Sequence, residues 1–286
     1  MQYRGRFAPS ATGPLHLGSI FAALVSYLHA REHDGMWLVR IDDLDSLRCK
    51  PAFTTQIIET LQAFALTPDE PIGFQSERRD PYQKAFDAIR DQGLLYACNC
   101  SRRTLPRGPY PGHCRVNLGN PINPGVAVRI DTESISTVFS DRFQGLASPA
   151  PPGDFIVKRR DGLIAYQLAC AVDESIDRIN HVIRGIDLLP STPMQRFISE
   201  ALNLAPPVYG HFPVLVDRFG AKLSKQTFAT PVNPDQPGDT YFKLARLLLL
   251  DDTPDPTQAS SDWLAYFRDL GPIEHHLPRV ASISAE

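Results

Sequence analysis

The chain has 286 residues, of which 43% are hydrophobic and 21% are charged, so it is long enough to bury a hydrophobic core. Its formal net charge of −3 excludes a basic surface over the whole protein, so any RNA contact has to use local clusters. No run reaches the roughly 18 apolar residues of a membrane span, and no apolar signal region follows Met1, so we expect a cytoplasmic protein without a membrane partner.

The N-terminal half predicts alternating strands and helices. Residues 3–8 are typical of a strand, and apolar residues at helical spacing predict a helix over 15–31. Gly35 ends that helix, Met36–Ile41 predicts a second strand, and Pro51 opens a second helix. Because strands and helices alternate at this spacing, the sequence predicts an α/β fold with parallel strands and crossover helices.

A segment rich in Pro, Gly and Asn interrupts this alternation at residues 98–152. It contains only short β-like runs, at 126–130 and 136–139. The alternation resumes at 155–158, 165–172 and 181–184, and helices are predicted over 192–204, 241–250 and 263–270. We therefore expect a main domain of residues 1–97 and 153–230, an insertion of 98–152, and a short helical C-terminal segment of 231–286 whose polar last residues are loosely held.

The insertion also concentrates arginines and cysteines. One basic cluster is formed by Arg102, Arg103, Arg107 and Arg115, and a second follows at Lys158, Arg159 and Arg160. A solvated surface is the ordinary interpretation of both clusters, although either could contact RNA. Cys98, Cys100 and Cys114 are three of the five cysteines, and an odd count without a signal region favours a metal site or unpaired thiols over disulfides.

A structural zinc ion needs four ligands in tetrahedral geometry, usually Cys or His. Three thiolates are available at Cys98, Cys100 and Cys114. The fourth ligand is open between His113, the more usual donor, and Tyr110, which would bind as a phenolate. Buried or unused cysteines are the simpler alternative.

The first nucleotide-binding signal is the tetrapeptide His16-Leu17-Gly18-Ser19, at the start of the first predicted helix. A helix N-terminus offers unpaired N–H groups and a positive dipole end to phosphates. Gly18 has no side chain, so a nucleoside could approach the backbone closely, and His16 can donate a hydrogen bond to a phosphate oxygen. Alone, the pattern is also consistent with a helix N-terminus that carries an exposed histidine.

The second signal is Lys222-Leu223-Ser224-Lys225-Gln226, which follows Gly220 in a loop. Two lysines around a serine suit the neutralisation of charge that develops on a phosphate during displacement. Alone, this segment is equally typical of a solvated basic loop.

Together and in this order, the two segments resemble the paired signatures of class I aminoacyl-tRNA synthetases. Residues 6–13 (Arg-Phe-Ala-Pro-Ser-Ala-Thr-Gly) and 39–45 (Val-Arg-Ile-Asp-Asp-Leu-Asp) are similar to those of the glutamyl branch. The resemblance implies a Rossmann-type nucleotide-binding parallel sheet in the main, catalytic domain. It implies an ATP site at His16, Gly18, Ser19, Lys222, Ser224 and Lys225, and catalytic roles for His16, Gly18 and Lys225.

The same resemblance implies a glutamate site. An arginine fork suits a carboxylate, and a carboxylate suits the α-ammonium group. Matching motif to motif gives Arg6, Phe7, Ala8, Pro9, Ser10, Asp42, Tyr166 and Arg184. Asp42 departs from the family, which usually has glutamate there, so its shorter reach requires a water or the help of Asp43. Ordinary alternatives are a surface ion pair for Arg6, a core position for Tyr166 and a bridge from Arg184 to Asp187.

A shortened branch of the glutamyl family, which attaches glutamate to queuosine in tRNA(Asp), carries Cys-x-Cys followed by Tyr-x₃-Cys. The match to Cys98, Cys100, Tyr110 and Cys114 implies one structural Zn²⁺ with Tyr110 as the fourth ligand. The short segment after Lys225, without room for an anticodon-binding domain, points to the same branch. The implied partners are glutamate, ATP with Mg²⁺, and queuosine-containing tRNA(Asp). A monomer is the default expectation.

Three other interpretations remain open from the sequence. The first is an ordinary glutamyl-tRNA synthetase that charges a tRNA 3′ end. The second is a small-molecule adenylate-forming or nucleotidyl-transferring enzyme, which would not need the set Arg6, Tyr166 and Arg184. The third is a non-catalytic RNA-binding module, which would need neither His16 nor Lys225.

Overall fold

The computed structural model describes residues 2–101, 103, 105, 108–223 and 230–285, and all structural statements concern these residues. The strands in chain order are β1 (Arg4–Phe7), β2 (Met36–Ile41), β3 (Gly73–Phe74), β4 (Leu95–Cys98), β5 (Ala127–Ile130), β6 (Phe139–Asp141), β7 (Gly145–Ala147), β8 (Ile156–Lys158), β9 (His181–Gly185), β10 (Val208–Phe212), β11 (Val214–Val216) and β12 (Ser282–Ser284). The helices are α1 (Leu17–Arg31), α2 (Pro51–Ala63), α3 (Arg79–Asp91), α4 (Tyr166–Ile176), α5 (Thr192–Ala201), α6 (Pro237–Leu247) and α7 (Ser260–Asp269).

Parallel strands form the centre of the fold, as the alternating sequence pattern predicts. β1, β2 and β3 pair in parallel in that order, and β6, β10 and β9 form a second parallel set with β7 added antiparallel at its edge. The two sets meet at β1 and β9, because the Asn180 backbone N–H donates to the Arg4 carbonyl over 3.1 Å. The carboxyl ends of β1 and β9 therefore lie side by side, which is where ligands bind in parallel α/β sheets.

The main core lies between this parallel array and helices α1, α6 and α7. α1 buries one apolar face, including Ile20, Phe21 and Leu24, against the sheet. The aromatic residues Tyr241 and Trp263 of the C-terminal helices are fully buried in the same cluster. The predicted C-terminal helical segment is thus part of the core that supports α1.

The predicted insertion shares its strands with the rest of the fold. β5, which lies inside residues 98–152, pairs antiparallel with both β4 and β8, which flank that range. β6, also inside the range, pairs in parallel with β10 of the central array. The alternation expected from residues 155–158 onward is present as β8, α4 and β9, but β8 completes an antiparallel sheet and does not join the parallel array.

The last described residues are not loosely held. β12 pairs in parallel with β11, from Val214↔Ser282 to Val216↔Ser284. The polar sequence predicted loose residues because strand pairing between distant segments leaves no local signal. Among the described residues, no helix is both long enough and apolar enough to cross a lipid bilayer.

Candidate active site

A cleft of about 650 Å³ opens at the carboxyl ends of β1 and β9 and at the start of α1. The predicted site residues that line it are Arg6, Phe7, Ala8, Pro9, Ser10, His16, Gly18, Ser19, Tyr166, Arg184 and Lys222. Asp42 is not among the lining residues, and the predicted residues Ser224 and Lys225 lie outside the described part of the chain. The fold therefore brings segments from four distant parts of the sequence to one cavity.

The two nucleotide signatures meet at the start of α1. A Cβ atom placed on Gly18 would lie 3.2 Å from the His16 ring and 3.5 Å from the Leu223 carbonyl oxygen. Beyond the second signature, Pro231 forms a bridge with His16, and the Val232 N–H donates to the Leu15 carbonyl over 3.0 Å. The backbone on both sides of Ser224 and Lys225 thus contacts the N-terminus of α1.

Lys222 is tied across the cleft to the segment after β9. Its Nζ donates to Asp187 Oδ2 over 2.5 Å, and both residues line the cavity. Asp187 is therefore the partner of Lys222, and Arg184 uses other partners. The alternative in which Arg184 bridges to Asp187 is wrong.

Arg6 is buried at the floor of the cleft, where its Nε donates to Glu174 Oε1 over 2.9 Å. Burial alone would raise the pKa of Glu174, but the guanidinium groups of Arg6 and Arg40 hold it below its usual value. Glu174 is thus an anchor that aligns Arg6 through Nε. The alternative of a surface ion pair for Arg6 is wrong, since both side chains are only 6% exposed.

Asp42 lies one layer below the cleft. Its Oδ1 accepts from Arg40 Nε over 2.8 Å, while its backbone bridges to Ser10, a lining residue. Burial raises the pKa of Asp42 to about 6, against the opposing effect of Arg40. Asp43, the proposed substitute, accepts instead from the Ser76 N–H and hydroxyl at 2.8 and 2.7 Å, so it faces another direction.

Sequence reasoning missed the charged layer that supports these groups. Arg78 Nη1 lies 2.9 Å from Asp173 Oδ1, and Arg40 Nε lies 3.4 Å from Asp173 Oδ2. Tyr82 and Gln75 also donate to the fully buried Asp173. The available signal was the adjacent pair Asp173 and Glu174 directly after the apolar run 168–172, because such residues are buried only when they are paired.

Arg184 is almost completely surrounded by acceptors from the protein. Its Nε donates to His211 Nε2 (3.1 Å), Nη1 to Gln195 Oε1 (2.8 Å), and Nη2 to Thr192 Oγ1 (2.8 Å) and the Leu188 carbonyl (3.3 Å). Its guanidinium carbon also lies 5.1 Å from the centre of the Tyr209 ring. The side chain is therefore held rigidly at the wall of the cleft.

Tyr166 begins α4 and lines the cleft with 40% of its surface exposed. An exposed position at a helix start contradicts the alternative that Tyr166 fills the core. Its ring is thus accessible to a ligand in the same cavity as Arg6 and Arg184.

The cysteine cluster forms a second candidate site, in the insertion. The Sγ atoms of Cys98, Cys100 and Cys114 all lie within 4.8 Å of one another. Tyr110 Oη lies 3.6 Å from both Cys98 Sγ and Cys100 Sγ, whereas the described chain places no His nitrogen within this group. Three sulfurs and one phenol oxygen converge, which matches the four donors of a tetrahedral zinc ion in number and its preference for thiolates in three of them.

Arg129 lies beside these donors. Its Nε donates to Cys98 Sγ over 3.3 Å, and its guanidinium carbon lies 3.7 Å above the Tyr110 ring. Burial opposes ionisation of Cys98, but hydrogen bonds with Arg129 and Tyr110 lower its pKa to about 7. Arg115 of the first predicted basic cluster pairs with the buried Asp154 at 2.8 Å, so it has a structural role.

The second predicted basic cluster lines a separate cavity of about 570 Å³ between α3 and β8. Within it, Arg159 pairs with Asp45 and Asp161 at 2.7 and 2.6 Å. The charge of this cluster is therefore partly neutralised by neighbouring carboxylates.

Comparison with known proteins agrees with this architecture. The family described as tRNA synthetases class I (E and Q), catalytic domain, matches residues 2–108 and 120–248. A protein of Methylococcus capsulatus named Glutamyl-Q tRNA(Asp) synthetase is 44% identical over 251 residues, which are 86% of this chain and 83% of that protein. A protein of the same name from Burkholderia cenocepacia is 44% identical over 252 residues, covering 82% and 84%.

Solved structures agree with the fold. A glutamate tRNA ligase from Elizabethkingia meningosepticum superposes with a TM-score of 0.72 at 23% identity, covering 92% of this chain and 64% of that ligase. A glutamate-tRNA synthetase from Elizabethkingia anophelis gives 0.74 at 22% identity, covering 100% and 67%. The family match and the curated relatives cover most of the sequence, and the chain belongs to the class I tRNA synthetases of the E and Q type.

Proposed function

We propose that this protein activates glutamate with ATP and transfers it to the queuosine base in the anticodon loop of tRNA(Asp). The observation that carries the proposal is the single cleft that unites the start of α1, the described edge of the second signature, and the cationic wall of Arg6 and Arg184. The names of the curated relatives support the queuosine acceptor.

ATP would bind at the start of α1. This helix has no acidic residue in its first turn and no side-chain cap, so its N–H groups and dipole favour an anion. His16, Ser19, Lys222 and Ser224 would contact the phosphates, and Gly18 would leave room for the nucleoside. His16 and Lys225 would stabilise the charge that develops on the α-phosphate, with Mg²⁺ bound to the nucleotide.

Glutamate would lie on the opposite side of the cleft. Arg6 uses Nε for Glu174, so its terminal amino groups can bind the side-chain carboxylate of the substrate. Arg184 would add positive charge, Tyr166 would pack against the substrate chain, and residues 7–10 would line its backbone. Asp42 would reach the α-ammonium group through water, since its carboxylate contacts Arg40 and does not line the cleft.

Two displacement steps follow from this arrangement. The α-carboxylate of glutamate attacks the α-phosphorus of ATP, which forms glutamyl-adenylate and releases pyrophosphate. A hydroxyl group of the queuosine cyclopentenediol then attacks the activated acyl carbon and releases AMP. Because the adenylate is a good leaving group, positioning of the two reactants is sufficient for the second step.

We also propose that Cys98, Cys100, Tyr110 and Cys114 hold one structural Zn²⁺. The ion would fix the 98–114 segment, because the buried cluster that its described residues form with Tyr96 is small and otherwise consists of Cys98 and Tyr110. Arg129 would offset part of the negative charge of three thiolates and a phenolate. We propose a monomer that works in the cytoplasm, where tRNA and ATP are available.

The test is transfer of labelled glutamate to tRNA(Asp) with and without queuosine. We expect label on the queuosine-containing tRNA only, and label at the 3′ terminus would instead indicate an ordinary glutamyl-tRNA synthetase. Glutamate-dependent ATP–pyrophosphate exchange without tRNA is expected as well. No exchange with or without tRNA would leave only the RNA-binding alternative.

A further inference from the structure

Behind Arg184, a buried chain of polar groups leads away from the cleft to Asp141. We propose that Asp141 and His211 are positioning residues that hold the Arg184 guanidinium in its substrate-binding orientation. This inference rests on the proposed function, because it assigns Arg184 to glutamate. Neither residue lines the cleft, so both would act through Arg184.

Asp141 is held as an acceptor by the backbone around it. Its Oδ1 accepts from the N–H groups of Phe143, Gln144 and His211 at 3.0, 3.0 and 3.1 Å. Its Oδ2 lies 2.5 Å from His211 Nδ1, and both side chains are fully buried. Burial raises the pKa of Asp141, but hydrogen bonds with His211 and the backbone outweigh this effect and lower it. An ionised carboxylate can only accept, so His211 Nδ1 carries the proton.

This tautomer determines what His211 offers to Arg184. With the proton on Nδ1, Nε2 presents a lone pair, which accepts from Arg184 Nε at 3.1 Å and lies 3.2 Å from the Thr192 hydroxyl. Burial lowers the pKa of His211, which agrees with a neutral ring beside a cation. The opposite tautomer would point an N–H at another N–H and would push Arg184 away.

The row of polar groups also keeps the negative charge of Asp141 apart from the positive charge of Arg184. A carboxylate in direct contact with Arg184 would neutralise the guanidinium that the substrate carboxylate needs. Here a neutral imidazole stands between Asp141 and Arg184, so the orientation is fixed without a direct ion pair. A guanidinium has five N–H groups, and four of those on Arg184 donate to His211, Gln195, Thr192 and the Leu188 carbonyl. The fifth N–H, on Nη1, is left for the substrate.

The experiment compares Asp141→Asn, His211→Ala and His211→Gln in glutamate-dependent pyrophosphate exchange. Loss of a hydrogen bond to a charged group predicts a rise of about tenfold or more in KM for glutamate, with KM for ATP unchanged. The Gln side chain can supply an acceptor without Asp141, so His211→Gln should recover part of the loss. His29→Asn is the matched control, since it removes another buried histidine that lies outside the cleft.

A double-mutant cycle with Arg184→Lys separates positioning from general stability. If His211 acts through Arg184, the combined variant is no worse than Arg184→Lys alone. Additive losses, or equal increases in KM for glutamate and ATP, would overturn the inference.

A second readout does not depend on activity. In the wild-type protein the Arg184 Nε–H proton should exchange slowly with solvent in NMR spectra, and His211→Ala should make this exchange fast. If the wild type shows no glutamate-dependent ATP–pyrophosphate exchange, the proposed function fails. The NMR comparison still decides whether Asp141 and His211 position Arg184. An unchanged Nε–H signal in His211→Ala contradicts the positioning role.

Discussion

The cleft and the cysteine cluster are held together in different ways. The cleft stands on a large apolar core that joins β1, α1, β9 and the C-terminal helices. The cysteine cluster has a small core of Tyr96, Cys98 and Tyr110, surrounded by hydrogen bonds to Asp154. A small core alone rarely stabilises a fold, so we expect the second region to depend on the proposed zinc ion and the first region to depend on its apolar core.

This difference predicts which substitutions destabilise each region. In the cleft, the sensitive groups are the buried charges below an otherwise stable core. In the cysteine cluster, we expect the sensitive groups to be the four proposed zinc ligands, because the apolar core around them is small.

The largest expected effect is the loss of the metal ion. Structural zinc contributes about 10–16 kcal/mol to the folding of small zinc-binding peptides. Cys98→Ser should therefore reduce the zinc content from one ion per chain to almost none and speed amide hydrogen exchange in residues 98–114. Exchange in β1 and α1 should not change, since the main core is separate.

Cys49→Ser is the control for this experiment, because Cys49 lies outside the cluster. It should retain the zinc content of the wild type. A Cys98→Ser protein that keeps its zinc would contradict the assigned ligands, and faster exchange throughout α1 would contradict the independence of the two regions.

The second prediction concerns the charged layer below the cleft. Glu174→Gln leaves the buried Arg6 without its carboxylate partner, and breaking a buried pair in this way costs about 3–5 kcal/mol. We expect the free energy of unfolding in urea to fall by that amount.

Glu200→Gln is the matched control, because it makes the same chemical change in an exposed pair with Arg196. Its expected cost is about 0.5 kcal/mol. Equal effects of the two substitutions would mean that the buried layer contributes little to the stability of the cleft.

The third prediction separates chemistry from stability in the cleft. Removal of one charge-stabilising group typically lowers a rate by about 10²–10³. Lys225→Ala should therefore reduce pyrophosphate exchange by this factor, while zinc content and the urea midpoint stay at wild-type values. Lys243→Ala, an exposed lysine on α6, serves as the control. A Lys225→Ala protein that keeps more than a tenth of the wild-type rate of pyrophosphate exchange would contradict a catalytic role for Lys225.

The smallest expected effect is a dependence of stability on pH at the back of α1. Burial lowers the pKa of His29 to about 3 and that of His181 to about 4. Both groups are near 6.5 in the unfolded chain, which therefore binds more protons between about pH 6.5 and 3. The free energy of unfolding should be highest above pH 6.5 and should fall as the pH decreases from 6.5 to 3.

For His29 alone, the expected loss is about 2 kcal/mol between pH 7.5 and pH 5. The measurement is urea unfolding of the wild type and His29→Asn at both pH values, and the variant should lose less. His113→Asn, which changes an exposed histidine near the cysteine cluster, should follow the wild type. A variant of His29 with the full pH dependence of the wild type would contradict the prediction.

Local signals in the sequence predicted much of the parallel array. The strand Met36–Ile41 has the predicted bounds and the second helix begins at the predicted Pro51, because burial on both faces and a proline at a helix start leave clear patterns. The antiparallel pairing of β5 with β4 and β8 was not predicted, since pairing depends on distant residues. For the same reason the insertion could not be seen to share β6 with the central array.

In the candidate cleft, too, residues in local motifs could be predicted and contacts between distant segments could not. Arg6, Tyr166 and Arg184 lie in short motifs that a resemblance could match, and the structure places them in one cavity. Glu174, His211 and Asp141 act on those residues from behind, through contacts that join segments up to 168 positions apart. No local sequence pattern predicts contacts between such distant residues, so they are seen only in the folded structure.

The crowded surroundings of Arg184 limit how substrate choice can change. Its guanidinium donates hydrogen bonds to His211, Gln195 and Thr192, so an uncharged replacement at position 184 would take a donor away from each of these acceptors. A mutational path toward a neutral amino acid would therefore need compensating changes at these positions in the same genotype. Directed evolution that randomises position 184 alone should recover arginine.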